Sequence, residues 1–305
     1  MKRTAVLGLS FLLSTGIAEA QWKNQSTTWS YGFGDSKSAT LTATADNAEY
    51  LSKNAASVLS QPSSGTVRLF IPGNTDGGFT IEPTSNTLTF SGSTVGSTKF
   101  SAYNIAGASE IASITFNVTF SNPDKQQATY YFSMGTKGKP GNLYNSANAV
   151  YTGANSGGAL FNAVRFLYSN SGVTLGSRTV GNSTGKYATL SGGVLAYDTP
   201  YKIEMYMNNS PEAKHYSKSG KEQIVAANSY HLWVTNTVSS KTVLYSFNGS
   251  ADLIRPTETN VAEGTDATIP ANAVLNAFLI QSINAKPNTS ALKISGNIEL
   301  AYHAK

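Results

Sequence analysis

The chain has no cysteine, so disulfide staples and thiolate metal sites are both closed to it. Only 13% of its 305 residues are Asp, Glu, Lys or Arg, against about 25% in an ordinary domain. That deficit excludes a coiled coil or a charged helical bundle, which draw heavily on Lys, Glu and Leu. Long apolar runs are also missing beyond the first twenty residues. The most apolar later stretch, Ala271 to Ile283, is short and contains Asn272, Asn276 and Gln281, so no later spanning helix is predicted. Basic residues are spread thinly. The single local cluster, Lys214, His215, Lys218 and Lys221, is flanked by Glu212 and Glu222 and reads as a solvated loop. A nucleic-acid binder concentrates Lys and Arg on one face, so that partner is excluded.

Small polar residues fill the gap: 38 Ser, 33 Thr, 26 Asn and 27 Gly make up roughly two fifths of the chain. Hydrophobic residues at 40%, a quarter of them aromatic, still suffice for a core and argue against disorder. At the start, Lys2 and Arg3 precede a mostly apolar run from Ala5 to Ala18, and Ala18-Glu19-Ala20 is an A-x-A cleavage site. This is the three-part secretory leader, with residues 1–20 removed and Gln21 as the mature start. The expected location is therefore outside the cell or in its envelope, with no transmembrane segment after cleavage.

Strand patterns dominate the rest. Ile114, Phe116, Val118 and Phe120 alternate with Thr115, Asn117 and Thr119, and Tyr201, Ile203, Met205 and Met207 alternate with Lys202, Glu204 and Tyr206. Similar runs are predicted at Thr66–Ile71, Thr87–Phe90, Thr129–Met134, Ala163–Tyr168, Tyr230–Thr235, Thr242–Phe247, Ala277–Ser282, Leu292–Ser295 and Ile298–Tyr302. Turn clusters such as Pro72-Gly73-Asn74 and Asn208-Asn209-Ser210-Pro211 separate them. Ala45 to Ser60 contains helix formers but no apolar stripe. The fold class is all-β, an antiparallel sandwich or jelly roll over residues 21–305, with 21–121 supplying outer strands of the same sheets.

Chemical motifs are sparse. Gly181-Asn182-Ser183-Thr184-Gly185 spells a nucleophile elbow, yet no helical pattern follows it, and a chain this rich in Gly and Ser yields such strings by chance. The six N-x-S/T sequons, at Asn24, Asn117, Asn182, Asn208, Asn248 and Asn288, match the number composition predicts. His215, His231 and His303 are far apart in sequence, and no zinc spacing appears. No cofactor is expected. Calcium could use loop oxygens of Asp76, Asn122, Asp124 and Asp252, without EF-hand spacing. Glycoside cleavage normally needs two carboxylates flanking the bond. Glu204 is the acid inside a predicted strand on the side opposite the apolar set, and its partner would have to come from another strand, such as Glu299.

The segments RLFIPG, TYYFSMGTKG, AVRFLYSNSG, YKIEMYMNNS, YHLWVTN and ALKISGNIELAY, in this order, resemble a group of secreted bacterial proteins with the concanavalin A-like lectin/glucanase (LamG-like) jelly roll. The resemblance implies that fold, mostly without an assigned activity. An Asp common in the last strand of that group is replaced here by Gly296, before Asn297 and Ile298, which weakens any calcium site so implied. Tyr216-Ser217-Lys218-Ser219-Gly220 is similar to one strand of alginate-lyase jelly rolls, but the other lyase signatures are missing.

With the apolar sets facing the core, Arg165, Lys202, Glu204, Tyr206, His231 and Trp233 point outward. Aromatic faces with charged donors suit carbohydrate, so these six are the candidate ligand-binding residues. The expected function is an exported, non-catalytic protein that binds polysaccharide or a cell-surface glycan or associates with the envelope. A structural or adhesive matrix protein and a glycan-active enzyme are the alternatives.

Overall fold

The computed structural model describes residues 21–22, 25–137, 143–147, 160–178, 187–246, 269, 272–283 and 289–303. The leader at 1–20, the Ser183 motif, Asp252 and four of the six sequons lie outside these residues. In chain order the strands are β1 (Gln21–Trp22), β2 (Gln25–Tyr31), β3 (Ala39–Leu41), β4 (Ala48–Leu51), β5 (Thr66–Ile71), β6 (Gly78–Glu82), β7 (Thr87–Ser91), β8 (Thr98–Tyr103), β9 (Ile111–Ser121) and β10 (Thr129–Gly135). They continue as β11 (Leu160–Ser169), β12 (Gly172–Arg178), β13 (Tyr187–Thr189), β14 (Pro200–Asn208), β15 (Lys214–Lys218), β16 (Lys221–Val225), β17 (Ser229–Asn236), β18 (Thr242–Ser246), β19 (Ala277–Ser282) and β20 (Ala291–His303).

The strands form two large antiparallel sheets and one small one. An eight-stranded sheet runs β13-β12-β11-β10-β19-β8-β5-β4, and a nine-stranded sheet runs β18-β17-β14-β9-β20-β7-β6-β3, with β2 added beside β20. The sandwich predicted from alternation is present. Residues 39–103 supply one end of both large sheets, whereas β9 lies in the middle of the nine-stranded one. Ala45 to Ser60 holds β4 and turns.

The alternating apolar sets meet between the two large sheets. Phe116 stacks on Phe132 at 5.7 Å, Phe120 meets Phe166 at 5.4 Å, and Trp29 meets Phe278 edge-on at 5.9 Å. Each such buried ring contributes about 1.5–3 kcal/mol relative to exposure. Tyrosines in this layer keep their hydroxyls satisfied at its rim: Tyr168 donates to the Ala291 carbonyl at 2.8 Å and Tyr302 to Leu275 at 2.9 Å.

The two runs predicted at Leu292–Ser295 and Ile298–Tyr302 are one strand, β20, broken by a bulge. Opposite β9, Ser295 pairs with Asn117 and Glu299 with Thr115, so two extra residues are looped out between them. Gly296 sits there at φ +72, a backbone shape that glycine adopts without strain. On its other edge β20 pairs with β7 up to Ser295 and with β2 from Ile298 onward.

The third sheet, β1-β15-β16, was not legible. Lys214 to Lys221 is not a solvated loop but a hairpin, and Trp22 of β1 pairs with Tyr216 at its edge. It has its own apolar cluster of Trp22, Ile111, Tyr206, Tyr216 and Val225, with Trp233 packed against it. It covers part of the outer face of the nine-stranded sheet.

Candidate functional site

β14 is the axis of this outer face. Its inward residues Tyr201, Ile203, Met205 and Met207 join the main core, which leaves Lys202, Glu204 and Tyr206 on the other side. Register with β17 sets Trp233 beside Glu204 and His231 beside Tyr206. Five of the six sequence candidates therefore share one face. Arg165 does not join them; it lies on β11, on the outer face of the eight-stranded sheet, paired across from Tyr131 and Gly176.

The five split further. Tyr206 and His231 lie beneath the small sheet. The Tyr216 ring stacks on Tyr206 with centroids 3.7 Å apart and planes 8° apart, and Trp22 meets both edge-on. The Tyr216 hydroxyl accepts from Trp233 Nε1 at 2.6 Å and lies 2.8 Å from His231 Nδ1. The Tyr216 hydroxyl thus joins the indole and the imidazole in one hydrogen-bonded chain. Burial pushes the His231 pKa down to about 4, which keeps the imidazole neutral near pH 7, and pushes Tyr216 up. These side chains form a second core layer, in which Trp22 and Tyr216 are central. A two-residue strand has no readable period, and Tyr216 lay within a segment that reads as a loop.

Glu204 is 3% exposed. Its Oε2 accepts from Lys218 Nζ at 2.5 Å, and its Oε1 lies 3.6 Å from Lys202 Nζ. The Lys218 ammonium also sits 5.2 Å from the Trp233 ring centre. The small sheet is thus pinned by a buried ion pair as well as by ring stacking.

Beside this covered area the face opens into a cleft of about 290 Å³, lined by Gln25, Thr28, Trp29, Ser30, Ser113, Thr115, Lys202, Glu204, Glu299, Leu300 and Ala301. Glu204 and Glu299 both pair with Thr115, one from each side, so they stand in one row two strands apart. Two strand spacings put their Cα atoms about 9.5 Å apart. Glu299 is exposed. The sheet has brought together two acids 95 positions apart in the chain.

The remaining candidates are dispersed. His215 faces solvent on the hairpin, 3.0 Å from Glu222, whereas His231 lies beneath it and His303 lies beside Trp22. Asp76 caps a turn through Thr94, Asn122 is bound within the β9–β10 turn, and Asp124 accepts from Thr289. Among the described residues no three His, Asp or Glu side chains converge on a point that could hold a metal. Asn208 is fully buried and its amide donates to the Glu212, Val225 and Ala226 carbonyls, which closes that sequon in the folded chain.

No known protein family and no curated protein matches the chain. Among solved structures it is similar to lectin II from Ulex europaeus, with 7% identity over 91% of this chain and 99% of that one, at a TM-score of 0.42. It is likewise similar to winged bean acidic lectin complexed with methyl-α-D-galactose, with 10% identity over 92% and 100% of the two chains, at a TM-score of 0.43. A protein of unknown function with a galectin-like fold from Bacillus subtilis has 11% identity over 76% and 90%, at a TM-score of 0.35.

Proposed function

We propose that the protein binds carbohydrate in the cleft between β14 and β2, with Glu204 and Glu299 standing on either side of Thr115. That row of two carboxylates and a hydroxyl carries the reading. Sugar hydroxyls both donate and accept. The cleft offers acceptors in the two acids, donors in Lys202 and Gln25, and groups that do both in Thr28, Ser30, Ser113 and Thr115. Its volume is near the lower end for ligand sites, about 300–1,000 Å³, which suits a single sugar ring. Trp29 is the one aromatic residue among its described lining, and its ring packs in the core. Recognition would rest on hydroxyl geometry, and Tyr206 would act by shaping the floor of the covered area. Glycan-array screening followed by calorimetry tests this: Glu299→Gln should weaken the selected sugar about tenfold with an unchanged melting temperature. Equal affinity in that variant and in Thr115→Val would remove the cleft from consideration.

A second reading, a glycan-cleaving enzyme, is favoured by the same facing pair of acids. Glu204 is engaged by two ammonium groups, which suits holding a hydroxyl better than releasing a proton. Release of reducing ends that is lost in Glu299→Gln would establish the enzyme; binding without release would establish the binding protein.

Export is part of the proposal, together with one sandwich domain over residues 21–305. It rests on Lys2, Arg3, the apolar run and Ala18-Glu19-Ala20. Cleavage there keeps Trp22, which meets the stacked rings of Tyr206 and Tyr216 edge-on. N-terminal sequencing of the exported protein should begin at Gln21, and a start beyond Trp22 would contradict it.

A further inference from the structure

The cleft is not evenly charged. One row of the outer face crosses five strands: Trp233 on β17, Glu204 on β14, Thr115 on β9, Glu299 on β20 and Ser30 on β2. Its two acids are held in different ways. Glu204 is buried and meets two ammonium groups, Lys218 at 2.5 Å and Lys202 at 3.6 Å. Glu299 is exposed, and its cross-strand neighbours are the neutral hydroxyl residues Thr115 and Ser30. Among the described residues no Lys, Arg or His nitrogen lies within ion-pair reach of its carboxylate.

The wall around Glu299 is set by the backbone. Asn297, in the bulge of β20, donates from Nδ2 to the Ser30 hydroxyl at 3.1 Å, and its Oδ1 accepts from Asn86 at 3.0 Å. Ser30 is thereby fixed beside the carboxylate. One end of the cleft thus holds two cations on a single acid, and the other holds an acid flanked by hydroxyls. Over Thr115 a sugar ring would span both ends. A neutral sugar uses Glu299 only as a hydrogen-bond acceptor, whereas an ammonium group on the ring also answers its charge.

Resting on the reading of this cleft as a carbohydrate site, we propose that its ligand is an amino sugar with a free ammonium group, bound by Glu299 while Glu204 and Lys202 meet ring hydroxyls. An N-acetylated sugar fits less well. Acetylation removes the charge and adds a methyl group, and the one aromatic ring that could receive that methyl, Trp29, packs in the core. A metal ion would need further ligands, and among the described residues no three acids or histidines converge.

Calorimetry tests this with cellobiose, the glucosamine disaccharide and its N-acetylated form, which differ only at carbon 2. Free and N-acetylated galactosamine extend the comparison to a second hydroxyl geometry. In at least one of the two series the free amine should bind about fivefold tighter than its uncharged counterpart. In about 0.5 M salt that preference should shrink below about twofold. In Glu299→Gln it should fall to about one, and Glu299→Asp should keep part of it. Glu222→Gln, an exposed acid on the hairpin, should leave it unchanged. The ratio is taken within each variant, so a uniform loss of affinity does not count as support. A ratio near one in the native protein, or one unchanged in Glu299→Gln, would overturn the proposal and make Glu299 an ordinary solvated acid. Equally tight binding of trilysine, a cation without a sugar ring, would overturn it too. Neutral sugars that bind and weaken in Glu299→Gln would leave the cleft standing while the amino-sugar preference falls; no response of any sugar to Glu299→Gln or Thr115→Val would remove both.

Discussion

The two outer faces of the sandwich both carry a buried charge beneath an overlying segment, but they satisfy it in opposite ways. On the nine-stranded sheet the buried group is an acid, Glu204, and the overlay supplies the cation Lys218. On the eight-stranded sheet the buried group is Lys99, and the described part of the overlay meets it with backbone: Lys99 Nζ donates to the Leu143 and Ser146 carbonyls at 2.9 and 3.0 Å. Arg68 donates to the same Ser146 carbonyl at 3.3 Å and to Glu49 at 2.5 Å. A side-chain ion pair ties two specific residues together and fails badly when one is removed. Carbonyl dipoles share the task among several groups, so losing the cation loosens a short segment without leaving an opposite charge stranded.

The largest expected effect is therefore at the ion pair. Lys218→Met should destabilise the fold by about 3 kcal/mol in urea titration, because Glu204 stays buried with only the more distant Lys202. The double variant Glu204→Gln, Lys218→Met should recover most of that loss; a recovery below about 1 kcal/mol would mean that stacking, not charge, holds the hairpin. Next comes pH. His231 has a folded pKa lowered to about 4 from 6.5. Between those values the unfolded chain takes up a proton that the folded one refuses, so stability is flat above 6.5 and falls as pH drops toward 4. The loss should be on the order of 2 kcal/mol and should vanish in His231→Gln. Lys99→Met should cost about 1 kcal/mol globally while amide exchange at 143–147 speeds up, the signature of a segment freed locally. Smallest of all, Glu299→Gln should move stability by less than about 0.5 kcal/mol, since the residue is exposed.

The contrast also marks where sequence reading works. Where one sheet face is core and the other is open, as in β9 from Ile114 to Phe120, period two exposes the strand and its inward side together. In β5, β8 and β19 all six residues are buried, because these strands have core on one side and packed residues on the other, and alternation gives way. The outward set Lys202, Glu204, Tyr206, His231 and Trp233 followed from alternation alone. What lay over it did not, because the hairpin's charged composition imitates a loop and its third strand is two residues long. The pairing of Glu204 with Glu299 across Thr115, like the meeting of Arg165 with Tyr187, depends on strand register between distant segments. No local pattern encodes that register.

β20 carries one more consequence. β2, near the beginning of the described chain, has β20 as its strand partner, and β20 also separates β9 from β7 in the middle of the nine-stranded sheet. The nine-stranded sheet therefore cannot close between β9 and β7 until β20 has been made and inserted. Contacts so far apart in sequence make folding slow, and β2, β7 and β9 keep open edges until that strand docks.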